Sequence, residues 1–210
     1  ISIFYDYTDN AVSQRPGFNG AYLTAKKITG VKDANGNLIS ASGGANAGEI
    51  IERLIYDDYG NAIEQYDGNG NKTTFTYDNK KRVTSVKLPN DALTQMEYDD
   101  FEFTVLETLP NGMQTKYQYN PFGYLLTATD LTSNQQLISY KYDKNFRVIQ
   151  EQNHQTNGFK TTYTYDALDR IRLKETYDYA GTTLLAKETA EYEDGTVTIT
   201  DEDGNTMEYN

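Results

Sequence analysis

The chain has no cysteine, no tryptophan, a single histidine and only four prolines in 210 residues. Without cysteine there are no disulfide staples and no thiolate metal sites, although this does not identify a compartment. A zinc centre draws on three or four His, Cys or acidic ligands, which one histidine cannot supply. That histidine, His154, lies in the turn Asn153 to Gly158 with no orienting acid or nucleophile beside it, so it reads as a surface-loop residue. Leu, Ile, Val and Phe together make up a fifth of the chain, too little for a thick core. No run of about 18 apolar residues occurs, so no membrane-inserted segment is expected. Basic charge is scarce too. A formal charge of -12, with 19 basic residues scattered rather than striped, repels phosphate backbones and argues against a nucleic-acid partner.

The chain has 19 tyrosines. A tyrosine joins a large apolar ring to a polar tip, so a half-exposed sheet can be built from it where an aliphatic core could not. Their spacing is regular. Tyr followed by Asp or Asn recurs at Tyr56, Tyr77, Tyr98, Tyr119, Tyr142 and Tyr165, at intervals of 21, 21, 21, 23 and 23 residues, with Tyr192-Glu193 and Tyr209-Asn210 following at looser spacing. Upstream, Lys32-Asp33-Ala34-Asn35-Gly36 aligns with Tyr56-Asp57-Asp58-Tyr59-Gly60. A fixed period dictates architecture before local propensity does.

Each unit contains two turn signals. Gly36, Gly60 and Gly123 stand four residues after the tyrosine position and supply the positive φ of a tight turn; Lys81, Phe146 and Asp169 stand there in other units, which predicts a turn that varies between repeats. The second signal comes about ten residues later, as in Asp67-Gly68-Asn69-Gly70, Leu109-Pro110-Asn111-Gly112 and Asp201-Glu202-Asp203-Gly204. Between turns the residues alternate with period two, as in Thr73 to Tyr77 and Thr161 to Tyr165, which predicts strands. The pairs Phe75/Tyr77, Tyr117/Tyr119, Tyr140/Tyr142 and Tyr163/Tyr165 fall on one face, with return-strand residues such as Ile63, Val83, Val148 and Ile171, so one face is expected to be apolar and the other Thr, Gln and Lys. Gly48 to Tyr56 is read as a strand, Ser40 to Gly48 as a loop, and Ser2 to Tyr7 and Ala21 to Ile28 as strands around a turn at Pro16-Gly17. The expected fold is all-β: tandem antiparallel hairpins in a twisted or partly curled, spiralling sheet, because right-handed strand twist bends a growing strip. It forms a single array over 1–210, with degenerate units in 1–30 and clear repeats starting near 32, 56, 77, 98, 119, 142, 165 and 192.

The unit Tyr-Asp-x-x-Gly-x-Leu, clearest at Tyr56 to Asn61, Tyr119 to Leu125 and Tyr165 to Ile171, resembles the bacterial RHS or YD repeat family over roughly residues 31–210. The resemblance implies secreted or cell-surface proteins built as long spiralling strips of hairpins, which in toxin-carrying members close into a shell around a C-terminal effector. Those members finish with an autoproteolytic Asp-Pro-x-Gly region, and no Asp-Pro dipeptide occurs here. About eight units also fall short of enclosing a cargo. The chain opens at Ile1 inside a patterned stretch, which predicts a trimmed product, and it stops where another unit would begin.

Among sites that could carry chemistry, Asp67-x-Asn69-x-Asn71 and Asp201-x-Asp203-x-Asn205 space oxygen ligands as calcium loops do, but Asx turns need no metal, so no cofactor and no calcium dependence are expected. Outward tyrosines at 59, 66, 124 and 179 could stack on a surface glycan. No catalytic constellation is present. The expected function is a non-enzymatic secreted or surface scaffold that binds protein or glycan; the alternative is a fragment of a toxin-enclosing shell, and a polysaccharide-active enzyme is a distant third. An open strip also predicts edge-to-edge self-association.

Overall fold

The computed structural model describes residues 2–7, 22–40, 46–193 and 195–209. The expected turn at Pro16-Gly17, Ala21, and residues 41–45 of the expected loop lie outside the described residues. Seventeen strands and no helix occur among the described residues, and the strands pair antiparallel.

The chain divides into two compact units, residues 1–96 and 97–210. In the first, β1 (Ser2–Asp6), β2 (Ala25–Thr29), β3 (Glu49–Tyr56), β4 (Ala62–Tyr66), β5 (Lys72–Tyr77) and β6 (Val83–Lys87) pair in sequence order, and β6 pairs onward with β7 (Leu93–Asp99), which crosses the boundary. The second unit runs the same way through β8 (Thr104–Thr108), β9 (Gln114–Tyr119), β10 (Leu125–Asp130), β11 (Gln135–Tyr142), β12 (Val148–Asn153), β13 (Phe159–Tyr165), β14 (Ile171–Asp178), β15 (Leu184–Glu193), β16 (Thr196–Thr200) and β17 (Thr206–Tyr209). Each ladder is open, and none returns on itself as a barrel. Strand β2 starts four residues later than the sequence pattern suggests, and the repeat near 32 is reduced to one bridge between Lys32 and Leu38.

The first turn of each repeat is more uniform than its sequence. At the position four after the tyrosine, φ is 85° at Gly36, 83° at Gly60 and 86° at Gly123, but also 65° at Lys81, 62° at Phe146 and 63° at Asp169. The expectation of a variable turn is therefore corrected for these six repeats: a type I turn followed by a left-handed residue is kept with or without glycine, the three-residue hairpin with a bulge. A side chain in that region costs about 1–2 kcal/mol, and the following residue offsets it. Arg82, Arg147 and Arg170 directly follow the three non-glycine positions, and their Nε atoms donate to Asp78, Asp143 and Asp166 at 2.8, 2.7 and 2.7 Å. In the glycine turns Asn37, Asn61 or Tyr124 stands there instead. The repeat near 98 departs further. Its positive φ falls at Phe103 (52°), one position late, and Asp99 accepts from the amides two and three residues ahead, Phe101 and Glu102, rather than two and four ahead.

The bulge also sets which residues share a face. Tyr77 pairs with Val83 and Phe75 with Val86, so two valines three positions apart point the same way, which strict alternation forbids. The tyrosine face is not purely apolar, contrary to the period-two reading. Tyr140 stands opposite Glu151, Tyr163 opposite Lys174, and the Tyr117 hydroxyl donates to Glu107 at 2.8 Å. Charged side chains fit there because the core is thin: among the described residues the best-covered side chains are Ala128, Thr24, Thr104 and Thr161, and no large side chain is fully buried.

Candidate functional site

The Tyr-Asp pair is where the repeat concentrates its polar contacts. The aspartate Oδ1 accepts the amides two and four residues ahead: Tyr59 and Asn61 for Asp57 at 2.8 and 2.9 Å, Asn145 and Arg147 for Asp143 at 2.8 and 3.0 Å, Leu168 and Arg170 for Asp166 at 2.8 and 3.0 Å. Oδ2 takes the side chain at the fourth position, Asn61 for Asp57 at 2.8 Å or an arginine elsewhere. These contacts act against desolvation. Partial burial raises the Asp57, Asp78, Asp143 and Asp166 carboxyls, yet the donated hydrogen bonds outweigh it and leave all four below the ordinary value. The aspartate is thus consumed by its own turn.

The tyrosine reaches the neighbouring repeat. The hydroxyls of Tyr77, Tyr142, Tyr165 and Tyr192 donate to the carbonyls of Ala62, Leu125, Val148 and Ile171 at 2.7, 2.8, 2.6 and 2.9 Å. Each acceptor is the first residue of a preceding return strand. Tyr56 makes the equivalent bond to Leu23 at 2.8 Å. Arg147 and Arg170 then lie over the rings of Tyr165 and Tyr192, 4.6 and 4.1 Å from the centroids, so the arginine that secures one turn also covers the next repeat's tyrosine. Burial raises the pKa of Tyr77, Tyr142 and Tyr165. Tyr98 and Tyr119 are half-buried at the matching strand ends, Tyr119 pairing with Leu125.

Besides Tyr5-Asp6, two further Tyr-Asp pairs lie outside the regular spacing, Tyr66-Asp67 and Tyr177-Asp178, both at second turns. Their hydroxyls stay on their own strand, donating to Glu64 and Glu175 at 2.8 and 2.9 Å. The signal that separates them is the residue two before the tyrosine: Glu here, an apolar or aromatic residue in the linking class.

The calcium candidates are occupied as turns. Asp67 accepts the amides of Asn69 and Asn71 at 2.9 Å each and the Asn71 side-chain nitrogen at 2.8 Å; Asp201 accepts the amides of Asp203 and Asn205 at 3.0 and 2.8 Å and the Asn205 nitrogen at 2.8 Å. Donors, not ligand oxygens, face the carboxylates. Hydrogen bonds from Asn71 and Asn205, side chain first, hold these acids below the ordinary value.

His154 differs from its reading as an exposed loop residue. It is half-buried, with Nε2 2.8 Å from Ser139 Oγ and Nδ1 3.4 Å from the Tyr179 hydroxyl, because the return of β12 beside β11 closes a gap that sequence separation conceals. A phenol stands where a triad has its carboxylate, so an imidazolium formed there would lack its counter-charge. Of the outward tyrosines, Tyr59 and Tyr179 are 71% and 51% exposed. Tyr66 is half-buried and tied to Glu64, and Tyr124 stacks parallel on Phe146 with centroids 5.1 Å apart, so neither offers the open ring face expected of it.

Residues 56–92, spanning two of these linked turns, match the RHS Repeat family. Residues 56–92 carry the RHS repeat. No curated protein matches this chain in sequence. Among solved structures, it is similar to a chain of the Photorhabdus luminescens Tc holotoxin pore with the mutation TccC3-D651A, at 15% identity and a TM-score of 0.58, covering 89% of this chain and 11% of that one. A TcdB2-TccC3-Cdc42 crystal structure is similar at 12% identity and a TM-score of 0.49, covering 82% of this chain and 11% of that one. The chain thus spans about a ninth of the length of these similar chains.

Proposed function

We propose that the RHS array is a wall segment of a larger, secreted or cell-surface RHS-type shell, a structural element that performs no catalysis itself. One observation carries this reading: five tyrosine hydroxyls bond into preceding hairpins, so the repeat spends its most distinctive residue on linking hairpins rather than on an open site. The likeness of nearly the whole chain to a ninth of a Tc toxin chain supports it. The test is electron microscopy of the full-length protein that contains this segment. A hollow particle with these hairpins in its wall is expected, and an extended strip with no enclosed volume overturns the reading.

The second reading is a free-standing adhesion module. It draws on the exposed rings of Phe101 and Phe122, 87% and 70% accessible at turn tips of the second unit. Sedimentation of the chain at rising concentration separates the two. Discrete self-association through strand edges fits the module, since an open edge is a template for pairing.

A further inference from the structure

We propose that the second unit docks a basic amphipathic helix of a partner protein along a ridge of apolar turn tips. Four successive first turns, at 99–103, 120–124, 143–147 and 166–170, carry large apolar side chains. Phe101, Phe122 and Leu168 are 87%, 70% and 71% exposed, and Phe103, Tyr124 and Phe146 are each more than a third exposed. The turns are joined in sequence order. The Tyr119 amide donates to the Phe103 carbonyl at 2.9 Å, Phe122 packs on Phe146 with ring centroids 4.7 Å apart, and the Arg147 guanidinium donates to Asp169 at 2.7 Å. At roughly 200 Å² for a large side chain, these six residues leave on the order of 600 Å² open, the upper end of what a monomer exposes in one patch. The matching turns of the first unit, Asp57 to Asn61 and Asp78 to Arg82, carry a single ring, Tyr59.

Spacing and charge select the occupant. Successive first turns stand two strands apart, so the tips recur about every 9–10 Å and the four span about 29 Å. Helix residues seven apart share a face and recur about every 10.5 Å, and about 20 residues cover 30 Å. One apolar stripe on one helix therefore meets all four tips. The four turns hold six acids against three bases. Two of those bases are committed, Arg147 to Asp143 and Asp169, and Arg170 to Asp166. Asp99, Asp100 and Glu102 flank the most exposed ring, so lysines or arginines beside the stripe are favoured. A second copy of this chain is disfavoured, because it brings a charge of -12 and because a standard interface buries about 800 Å² on each partner, more than the ridge offers. The same charge opposes an anionic membrane. The inference rests on the adhesion-module reading for the open rings of Phe101 and Phe122, and it adds their partner.

Fluorescence anisotropy of the full chain with a helical Leu/Lys peptide of about 22 residues, its leucines along one face, tests the ridge at physiological salt. Saturable binding is expected, and it is lost when the same residues are scrambled or when every lysine is replaced by glutamate. Phe101→Ala combined with Leu168→Ala weakens binding at least about tenfold. Tyr59→Ala, which removes an exposed ring of the first unit, leaves it unchanged. Both substituted tips face solvent, so the double variant folds, verified by an unaltered melting temperature. Absence of saturation, equal binding of the scrambled or acidic peptide, or undiminished binding by the double variant overturns the proposal. Capture by zwitterionic vesicles in place of the peptide, or self-association that the double variant abolishes, gives the ridge to another occupant and also overturns it. Strand-edge self-association, the test of the module reading, does not pass through these two tips, so either reading can fail alone.

Discussion

Tyr165 donates its hydroxyl to the carbonyl of Val148 at 2.6 Å, tying the end of one hairpin to the start of the return strand before it. Tyr165→Phe keeps the ring, its packing and the Arg147 contact while removing only this bond. A net loss of about 1 kcal/mol is expected, read as a lower urea midpoint. Tyr179→Phe, whose hydroxyl makes only a 3.4 Å contact with His154, shifts the midpoint far less.

The arginine that follows a non-glycine turn is expected to couple to it. Lys81 sits at a φ of 65°, so Lys81→Gly raises stability by about 0.5 kcal/mol, the relieved strain exceeding the added freedom of the unfolded chain. Arg82→Ala lowers stability, and lowers it less when residue 81 is already glycine. A double-mutant cycle by denaturant titration measures this coupling. Strict additivity would show that Arg82 does not secure the turn.

Stability is expected to fall on acidification. The amides of Thr182 and Thr183 hold Asp178 down to about 2 from the ordinary 3.8, and Asp67 and Asp201 are likewise depressed. A carboxyl lowered in the folded state stabilises above its unfolded value, and that contribution fades as pH drops from 3.8 through about 2. Thermal melts across this window should decline for the wild type and decline less steeply for Asp178→Asn.

At the alkaline end, burial first, and then the bond to Glu107, pushes Tyr117 up to about 12 from 10.0. The folded state therefore disfavours the phenolate, and the stability so gained is complete below pH 10 and lost as pH rises toward about 12. Ultraviolet titration should show a late-ionising tyrosine that ionises earlier in Glu107→Gln but stays above the ordinary value, because burial remains.

Millimolar calcium and chelator should leave the melting temperature unchanged. The carboxylates of Asp67 and Asp201 already accept three hydrogen bonds each, and a cation would have to displace those donors. A clear rise with calcium would show that the turns rearrange around it.

Much of this was legible in the residues. Strands end at Tyr56, Tyr77, Tyr119, Tyr142 and Tyr165, where the period places them, because alternation and Asx-turn chemistry act over a few residues and are written locally. The sites were less legible. Ser139 meets His154 across 15 residues, and Glu107 meets Tyr117 across 10, through ladder registers that no local pattern specifies. Lys81, Phe146 and Asp169 hid the uniform turn because the residue that compensates for the missing glycine lies one position further on, as Arg82, Arg147 or Arg170.

The sequence by itself determined the repeat, its hairpins, the aspartate turns and the all-β class, since each follows from short-range geometry repeated at a nearly constant interval. Tertiary structure alone decided where the hydroxyls go. An O–H donates to whichever carbonyl the register brings within reach, and a one-residue bulge at Tyr56, Tyr77, Tyr119, Tyr142 and Tyr165 resets that register. It also decided which side chains share the tyrosine face, and it brought Tyr59, Phe75 and Tyr77 to the lining of one concavity, because those positions depend on how successive turns stack rather than on any one of them.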